Sequence, residues 1–300
     1  MSVQSVIDGG TDIRVGLIGR GITRSRTPAM HMAEARAQGM TCAYRLLDMD
    51  DDAFAGRTLA SMLEWVESEG YCGVNVTYPF KIEVIPLLDG LSANASAIGA
   101  VNTVVFRNGT RTGHNTDLWG FAEGFRREFG AGPHRHVLLL GAGGAGVAVA
   151  HALVDCGVQR ISIFDLDSDR AEALAIQVAN NRADVDAMAV ADLAGLAAQD
   201  APEGIVNATP VGMAKLPGSA FPLDLLTPRM WVADIVYFPL ETELLRGARS
   251  RGCRTLGGTG MAVFQAVRAF QLFTGHPADP KRMKATFDAF DLKAKDQPKN

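Results

Sequence analysis

A glycine-rich turn that joins an apolar strand to a helix constrains the fold of this chain more than any other feature. Residues 137–146 read VLLLGAGGAG, and a helical pattern of alanine, valine and leucine continues to residue 157. The unbroken apolar run before the turn predicts a strand that is buried on both faces, as in a parallel sheet. The chain is therefore predicted to contain an α/β domain whose helices cover both sides of this strand.

The spacing of the glycines in this turn predicts a dinucleotide site. Gly141, Gly143 and Gly146 form a GxGxxG pattern between a strand and a helix, which is the context that the motif requires. Gly141 permits the tight turn, Gly143 lets the backbone approach a pyrophosphate, and Gly146 lets the helix pack on the strand. A glycine-rich turn that binds nothing is the alternative. The other residues of the turn complete the predicted cofactor site: Ala142, Gly144 and Ala145.

An acidic residue near the end of the next predicted strand indicates which dinucleotide binds. Asp165 belongs to the strand RISIFDL (160–166) and follows Gly146 by 19 residues. A carboxylate at this place accepts hydrogen bonds from ribose hydroxyls and repels the 2′-phosphate of NADP. Asp167 adds a second negative charge, and Arg170 is expected to be a solvated partner of the two acids. The predicted cofactor is therefore NAD, and NADP is less favoured.

The composition argues against several other classes of protein. Of the 300 residues, 47% are apolar, the net charge is −4 and the pI is about 5.9, so binding to nucleic acid or to an anionic membrane is not expected. The sequence shows neither a secretory signal nor an apolar run of roughly 20 residues. We therefore expect a cytoplasmic protein with reduced cysteines. The cysteines and histidines are scattered, and no metal site is predicted.

Strand-like and helix-like segments alternate along the chain, which predicts two α/β domains with parallel sheets. The first domain is predicted to comprise residues 1–117 together with the C-terminal helices at 258–300, which return to it. The second domain is predicted to cover residues 118–257 and to have the Rossmann-type fold that binds NAD.

Two local patterns refine the prediction for the first domain. Asn108-Gly109 predicts a tight hairpin turn between two strands. The segment PFKIEVIPLL (79–88) predicts a short helix that is broken at Pro86 and that carries Lys81 in its first turn.

Polar residues follow the predicted strands of the first domain, at the edge where open α/β sheets bind ligands. Taken singly, most of them are explained by a structural role. Ser25 and Thr27, for example, could cap the helix that begins at Pro28, Asp117 could cap the helix from Leu118, and Asn75 could be a hydrogen-bonded core amide. The residues concerned are Ser25, Thr27, Asn75, Thr77, Lys81, Asn102 and Asp117.

Seven sequence blocks in the same order resemble the shikimate and quinate dehydrogenases over nearly the whole chain. The blocks are GVNVTYPFK, AVNTV, NTDLWGF, GAGGAG, NATPVGM, DIVYFPLETELL and GGTGMAVFQAVRAFQLFTG. The resemblance implies a two-domain fold with the substrate in a cleft below the nicotinamide, and oxidation of a ring hydroxyl of quinate or shikimate. It also implies that Lys81 and Asp117 form a catalytic pair. Substrate contacts are implied for Ser25, Thr27, Thr77, Asn102, Tyr237 and Gln265, and further cofactor residues are Asn207, Thr209, Pro210 and Gly260.

Two departures from the biosynthetic shikimate dehydrogenases favour the NAD-dependent quinate/shikimate subgroup. The biosynthetic enzymes usually carry Ser-x-Ser-Pro in the loop that holds the carboxylate, where this chain has SRTP at 25–28. They often carry Asn-Arg-Thr after the second nucleotide-domain strand, where this chain has DLDS at 165–168. Nothing in the first loop requires an arginine, although Arg24 and Arg26 are close enough in sequence to steer an anion.

Other functions remain as alternatives at this stage. An NADP-dependent biosynthetic shikimate dehydrogenase is the main one, and Asp165 weighs against it. A methylene-tetrahydrofolate dehydrogenase would lack the NVTxPxK block, and a non-catalytic NAD-binding sensor would not need Lys81 and Asp117. A homodimer is also predicted, although the sequence does not determine the oligomeric state.

Overall fold

The structure, a computed structural model, describes residues 12–130 and 134–295. The chain divides into two compact units. The first unit comprises the residues up to Thr116 and those from Gln265 onward, and the second unit comprises Asp117–Phe264.

Strands and helices alternate through most of the described chain. The strands are β1 (Ile13–Gly19), β2 (Cys42–Asp48), β3 (Gly73–Val76), β4 (Gly90–Leu91), β5 (Thr103–Arg107), β6 (Thr110–His114), β7 (His134–Leu140), β8 (Val158–Phe164), β9 (Asp186–Ala189), β10 (Gly204–Asn207), β11 (Trp231–Asp234) and β12 (Arg254–Leu256). The helices are α1 (Thr27–Ala37), α2 (Leu59–Ser68), α3 (Ala93–Ile98), α4 (Thr116–Phe129), α5 (Gly144–Asp155), α6 (Ser168–Asn181), α7 (Leu193–Gln199), α8 (Glu243–Ser250), α9 (Thr259–Thr274) and α10 (Pro280–Lys295).

The first unit is built on a mixed sheet with the strand order β2-β1-β3-β5-β6-β4. Strands β2, β1 and β3 are parallel, whereas β5 runs antiparallel to both β3 and β6. The predicted parallel pairing is found for β2, β1 and β3, and the antiparallel pair β5–β6 is the predicted hairpin. The predicted hairpin explains the difference: Asn108 and Gly109 have φ values of 54° and 71°, and a two-residue turn of this kind joins antiparallel neighbours.

The second unit holds a parallel sheet with the strand order β12-β11-β10-β7-β8-β9. The chain starts at the central strand β7, moves outward through β8 and β9, and then returns to the other side of β7 at β10. This is the order of dinucleotide-binding α/β folds, and ligands bind at the reversal point beside the first strand. Leu138 and Leu139 of β7 are fully buried, as a strand covered on both faces requires. The predicted fold class is confirmed.

The C-terminal helix α10 packs against α1 in the first unit. Glu34 of α1 is fully buried and accepts two hydrogen bonds from the Arg282 guanidinium, at 2.6 and 2.9 Å. Burial raises the pKa of Glu34, but the hydrogen bonds from Arg282, the Asp279 N–H and Gln38 outweigh it and hold the pKa below its usual range. Because a buried carboxylate without its partner costs about 3–5 kcal/mol, this pair fixes α10 on α1.

The predicted helix at 79–88 is wrong. Residues 78–84 form turns, and Ile85–Leu87 is a short 3-10 helix. Most hydrogen bonds in this segment join residues three positions apart, and Pro86 has no N–H with which to continue an α-helix. Lys81 therefore lies in a turn.

Within residues 12–130 and 134–295, no helix combines the length and the apolar character needed to cross a membrane. In the same ranges, no group of three or more histidine, cysteine or acidic side chains is arranged to hold a metal ion. The four cysteines are free thiols.

Candidate active site

A chain of buried polar side chains runs through the sheet of the first unit. The Tyr44 hydroxyl donates to Asn75 Oδ1 at 2.9 Å, and Asn75 Nδ2 donates to Thr103 Oγ1 at 2.9 Å. Thr103 Oγ1 donates in turn to Asn102 Oδ1 at 3.0 Å. All four residues are at most 7% exposed. Such a network is stable inside a protein because hydrogen bonds compensate for the burial of its polar groups. Asn75 is thus a hydrogen-bonded core amide, which was its structural alternative.

Thr116 fixes the orientation of the Asn102 amide. The backbone N–H and the hydroxyl of Thr116 both donate to Asn102 Oδ1, at 2.8 and 3.1 Å. Because a backbone N–H can only donate, the amide oxygen must face Thr116, and the amide nitrogen points to the opposite side. Gln265 reaches the same network, since its Oε1 lies 3.5 Å from Thr116 Oγ1. The structure therefore brings together two of the predicted substrate residues, Asn102 and Gln265.

Lys81 is held next to the Asn102 segment by its backbone. The Val101 N–H donates to Lys81 O at 2.8 Å, and the Val76 N–H donates to Asn102 O at 2.8 Å. The side chain of Lys81 is partly exposed. The turn that replaces the predicted helix thus places this lysine beside the polar network.

The end of β3 lies against the start of the loop that follows β1. The Thr77 N–H donates to Ile18 O at 2.9 Å, and the Arg20 N–H donates to Tyr78 O at 3.1 Å. Gly19 makes this close approach feasible, because a Cβ at its position would lie 2.4 Å from Thr77 Cγ2. Thr77 and the loop containing the Ser-Arg-Thr sequence are therefore neighbours.

Ser25 and Thr27 are partly exposed where this loop enters α1. The N-cap residue of α1 is Arg26, and no side-chain hydrogen bond caps this helix. The capping alternative is therefore wrong for Thr27, which is the first residue of the helix, but Ser25 Oγ accepts from the Thr27 N–H at 3.4 Å. The two hydroxyls lie at the N-terminal end of α1 and can both donate to a carboxylate.

Asp117 lies in the first turn of α4, which begins two residues earlier than predicted. It is therefore not an N-cap. Its carboxylate lies at the positive end of the helix dipole. It is partly exposed and follows Thr116, which is anchored in the polar network.

The glycine-rich turn of the second unit has the shape that a dinucleotide site requires. A Cβ on Gly146 would lie 2.0 Å from Gly141 O, so a side chain there would push α5 away from β7. A Cβ on Gly143 or Gly144 would meet no atom within 4 Å, so the backbone is open to a ligand. α5 starts without a side-chain cap and without an acid in its first turn, which leaves its N–H groups for an anion. These residues fit the pyrophosphate of a dinucleotide.

Asp165 holds the glycine-rich turn in addition to its predicted role. Its Oδ2 accepts from the Ala142 N–H at 2.7 Å, and its Oδ1 accepts from the Asp167 N–H at 2.9 Å. Carboxylate oxygens accept more than one hydrogen bond each, so a ribose hydroxyl still fits. Arg170 pairs with Asp167 at 3.1 Å on the surface, as expected of a solvated partner.

Asn207 has a different task from the predicted cofactor contact. Its side chain is fully buried, and its Nδ2 donates to Val211 O at 2.9 Å and to Asp234 Oδ1 at 3.0 Å. Its Oδ1 accepts from both the N–H and the hydroxyl of Thr209. With no surface left for a ligand, this amide shapes the loop that carries Thr209 and the exposed Pro210.

Asp234 is a candidate that the sequence analysis missed. It is 2% exposed, and besides Asn207 it accepts from the Val236 N–H at 3.0 Å and the Thr242 hydroxyl at 2.7 Å. Burial raises the pKa of Asp234, while these hydrogen bonds oppose the rise. The signal in the sequence that could have identified Asp234 is an acid at the end of the apolar run WVAD. It ties the loop after β10 to the segment with the half-exposed Tyr237.

Gly260 lies in the first turn of α9 and not in a loop at a strand end. Gly258 packs closely against Ile235, the residue that follows β11. A Cβ at Gly258 would lie only 2.3 Å from Ile235 O. The start of α9 is thereby held against the segment that leads to Tyr237.

Models of three protein domains match the chain. The shikimate dehydrogenase substrate-binding domain matches residues 17–104, and shikimate/quinate 5-dehydrogenase matches residues 125–230. The shikimate 5′-dehydrogenase C-terminal domain matches residues 258–286.

Several known proteins are similar over almost their whole length. A quinate/shikimate dehydrogenase (NAD(+)) of Corynebacterium efficiens is 49% identical over 277 residues, which are 92% of this chain and 97% of that protein. A shikimate dehydrogenase (NADP(+)) of Streptomyces avermitilis is 48% identical over 272 residues, 90% of this chain and 93% of that protein. The structure of quinate dehydrogenase from Corynebacterium glutamicum in complex with NAD superposes with a TM-score of 0.87 at 47% identity, covering 92% of this chain and 99% of that one. The chain belongs to the shikimate/quinate dehydrogenase family.

Proposed function

We propose that this protein oxidises quinate and shikimate reversibly at a ring hydroxyl, with NAD as the hydride acceptor. The observation that carries the choice of NAD is the place of Asp165, whose carboxylate is fixed at the glycine-rich turn by the Ala142 N–H. In this fold an acid there receives the ribose hydroxyls and repels a 2′-phosphate. The names of the Corynebacterium relatives support the same assignment.

In this proposal the first unit binds the acid and the second unit binds the dinucleotide. Ser25 and Thr27 hold the carboxylate of the substrate. The Asn102 amide nitrogen, turned away from its own network, donates to a ring oxygen. The remaining proposed contacts come from Thr77, Gln265 and Tyr237.

The proposed chemistry needs one proton transfer between the substrate and the protein. NAD, when bound, supplies the hydride acceptor. As the hydride leaves the ring carbon, the hydroxyl proton passes to Lys81 Nζ, and Asp117 orients the lysine. In the reverse direction the ammonium group returns the proton to the ketone oxygen. General acid–base catalysis of this kind contributes about 10²–10⁴-fold to the rate.

Steady-state kinetics at 340 nm tests the proposal, with quinate and shikimate each assayed against NAD and NADP. We expect both acids to be oxidised, with kcat/KM for NAD at least about tenfold above that for NADP, or about 1.4 kcal/mol. A preference for NADP would favour the second candidate, an NADP-dependent shikimate dehydrogenase, which the Streptomyces relative supports. Turnover of neither acid would overturn the proposal and favour an NAD-binding sensor.

The oligomeric state and the location in the cell are separate predictions. Analytical ultracentrifugation tests the predicted homodimer, and cell fractionation tests the predicted cytoplasmic location.

A further inference from the structure

Arg26 stands between Ser25 and Thr27, the two residues that are proposed to hold the substrate carboxylate. Its guanidinium reaches α10, where Nη1 donates to Phe287 O at 3.1 Å. The same group lies 4.6 Å from the centre of the Phe287 ring and 5.5 Å from that of Phe290. A guanidinium stacks on aromatic faces and donates in a fixed plane, so these contacts define its position.

The point to which Arg26 is attached is itself immobilised. Phe287 is 2% exposed and belongs to the core of the first unit. α10 is fixed on α1 by the ion pair between Arg282 and the buried Glu34. The loop between β1 and α1, which contains Ser25, is called the carboxylate loop. Arg26 therefore links this loop to a rigid part of the fold that lies 261 residues away in the sequence.

The other end of the loop is also anchored. The N–H groups of Gly21 and Ile22 donate to the Asp48 carboxylate at 3.0 and 2.9 Å. The Ser25 N–H then donates to Ile22 O at 3.0 Å and closes a turn. The segment with the two hydroxyls is thus held at one end by β2 and at the other by α10.

We propose that Arg26 is a positioning residue, which locks the Ser25 and Thr27 hydroxyls in the geometry that a substrate carboxylate requires. The inference rests on the proposed function. It replaces the expectation that Arg26 steers an anion by its charge. Arg24 offers the comparison, because it carries the same charge one residue before Ser25 and is exposed.

Paired substitutions separate positioning from steering. Arg26→Met should raise KM for quinate and shikimate about tenfold with little change in kcat, because the carboxylate is held equally before and during hydride transfer. KM for NAD should stay unchanged. Arg24→Met, which removes the same charge, should leave all three values within about twofold of the wild type.

Arg26→Lys is the decisive variant. Lysine keeps the charge but lacks the planar guanidinium that stacks and donates in a fixed plane. Positioning predicts that KM for the acids stays raised in Arg26→Lys, at low and at high ionic strength alike. Steering predicts that KM returns to the wild-type value and that the effect of Arg26→Met disappears in high salt. The second result would overturn the inference.

Phe290→Ala tests the link from the side of α10. Phe290 is 39% exposed, so the variant should fold, and its ring touches the guanidinium. We expect KM for the acids to rise about two- to threefold without a change in KM for NAD, a selective effect that general destabilisation would not give. An unchanged KM would argue against α10 as the anchor.

Hydrogen exchange keeps the inference testable apart from activity. Amides of residues 20–30 should exchange faster in Arg26→Met than in the wild type or in Arg24→Met, while the thermal midpoint reports overall folding. If the wild type oxidises neither acid, the proposed function fails and this measurement decides about the anchor. Unchanged exchange in Arg26→Met would overturn the inference whether or not the enzyme is active.

Discussion

The two candidate ligand regions are built in opposite ways. In the second unit, the candidate site at residues 141–146 consists of backbone N–H groups, and the missing Cβ atoms of its glycines leave room for a ligand and for the helix. In the first unit, the site depends on side chains from separate strands and helices that hydrogen bond in a chain from Tyr44 to Gln265. The first kind of site is therefore sensitive to added atoms, and the second kind to removed ones.

The largest effect is expected from removing a side chain of the proposed catalytic pair, Lys81 of the first unit and Asp117 at the start of the second. Lys81→Ala should lower kcat for quinate by about 10²–10⁴-fold, because the proton acceptor is lost. Asp117→Asn should also be severe, and the double variant should be much less than additive because the pair acts as a unit. Lys284→Ala is the control, since this lysine forms an exposed pair with Asp288. A Lys81→Ala enzyme with nearly normal kcat would remove the proposed role.

The second-largest effect is expected from adding one methyl group in the second unit. Gly146→Ala places a Cβ where Gly141 O already lies, so the free energy of unfolding should fall by about 1–3 kcal/mol. Gly144→Ala is matched in chemistry but meets no atom, and its stability should stay within about 0.5 kcal/mol of the wild type. Denaturant titration measures both values. Equal stabilities would contradict the claim that added atoms break this region.

The glycine-rich turn also depends on one side chain, because Asp165 supports its backbone. Asp165→Ser should reduce the kcat/KM ratio of NAD to NADP about tenfold, or about 1.4 kcal/mol. Most of the change should be a loss with NAD, since its ribose hydroxyls lose their proposed acceptor. Kinetics with both cofactors at a fixed concentration of acid measures the ratio. If the ratio does not move, the ribose contact is assigned to the wrong residue.

The smallest effect should follow from removing one hydroxyl of the polar network. Thr103→Val keeps the volume, and its neighbours Asn75 and Asn102 each retain another hydrogen bond, so the loss of stability should be about 0.5–1.5 kcal/mol. KM for the acids should rise, whereas KM for NAD should not. Thr112→Val on β6, which is partly exposed, is the control. Equal KM values for the two variants would show that the network does not support acid binding.

Sequence reasoning succeeded where the information is local. The strand, the glycine-rich turn and the helix of the second unit are adjacent in the chain, and so are the residues of the Asn108-Gly109 hairpin. It failed at 79–88, where a short helix broken at Pro86 was predicted and the chain forms turns and a 3-10 helix instead. Spacing also does not reveal that Asp234 and Thr209 occupy the Asn207 amide.

Contacts between distant residues were out of reach for the same reason. Glu34 looks like a surface residue of an exposed helix turn until Arg282 arrives from α10 to pair with it. Arg26 likewise looks like a charge near the substrate until Phe287 is placed beside it. No sequence motif marks either contact, because each depends on how α10 packs against the first unit.

The position of α10 also determines the order in which the protein can be completed on the ribosome. The second unit is one continuous segment, so its sheet can close once β12 has been synthesised. The first unit must wait for Arg282, which follows its partner Glu34 by 248 residues. Until α10 has been synthesised, Glu34 has no Arg282 to pair with. Arg26 likewise has no Phe287 to bind. Domains fold as units when their chain is available, so the acid site is the last part of this protein to mature.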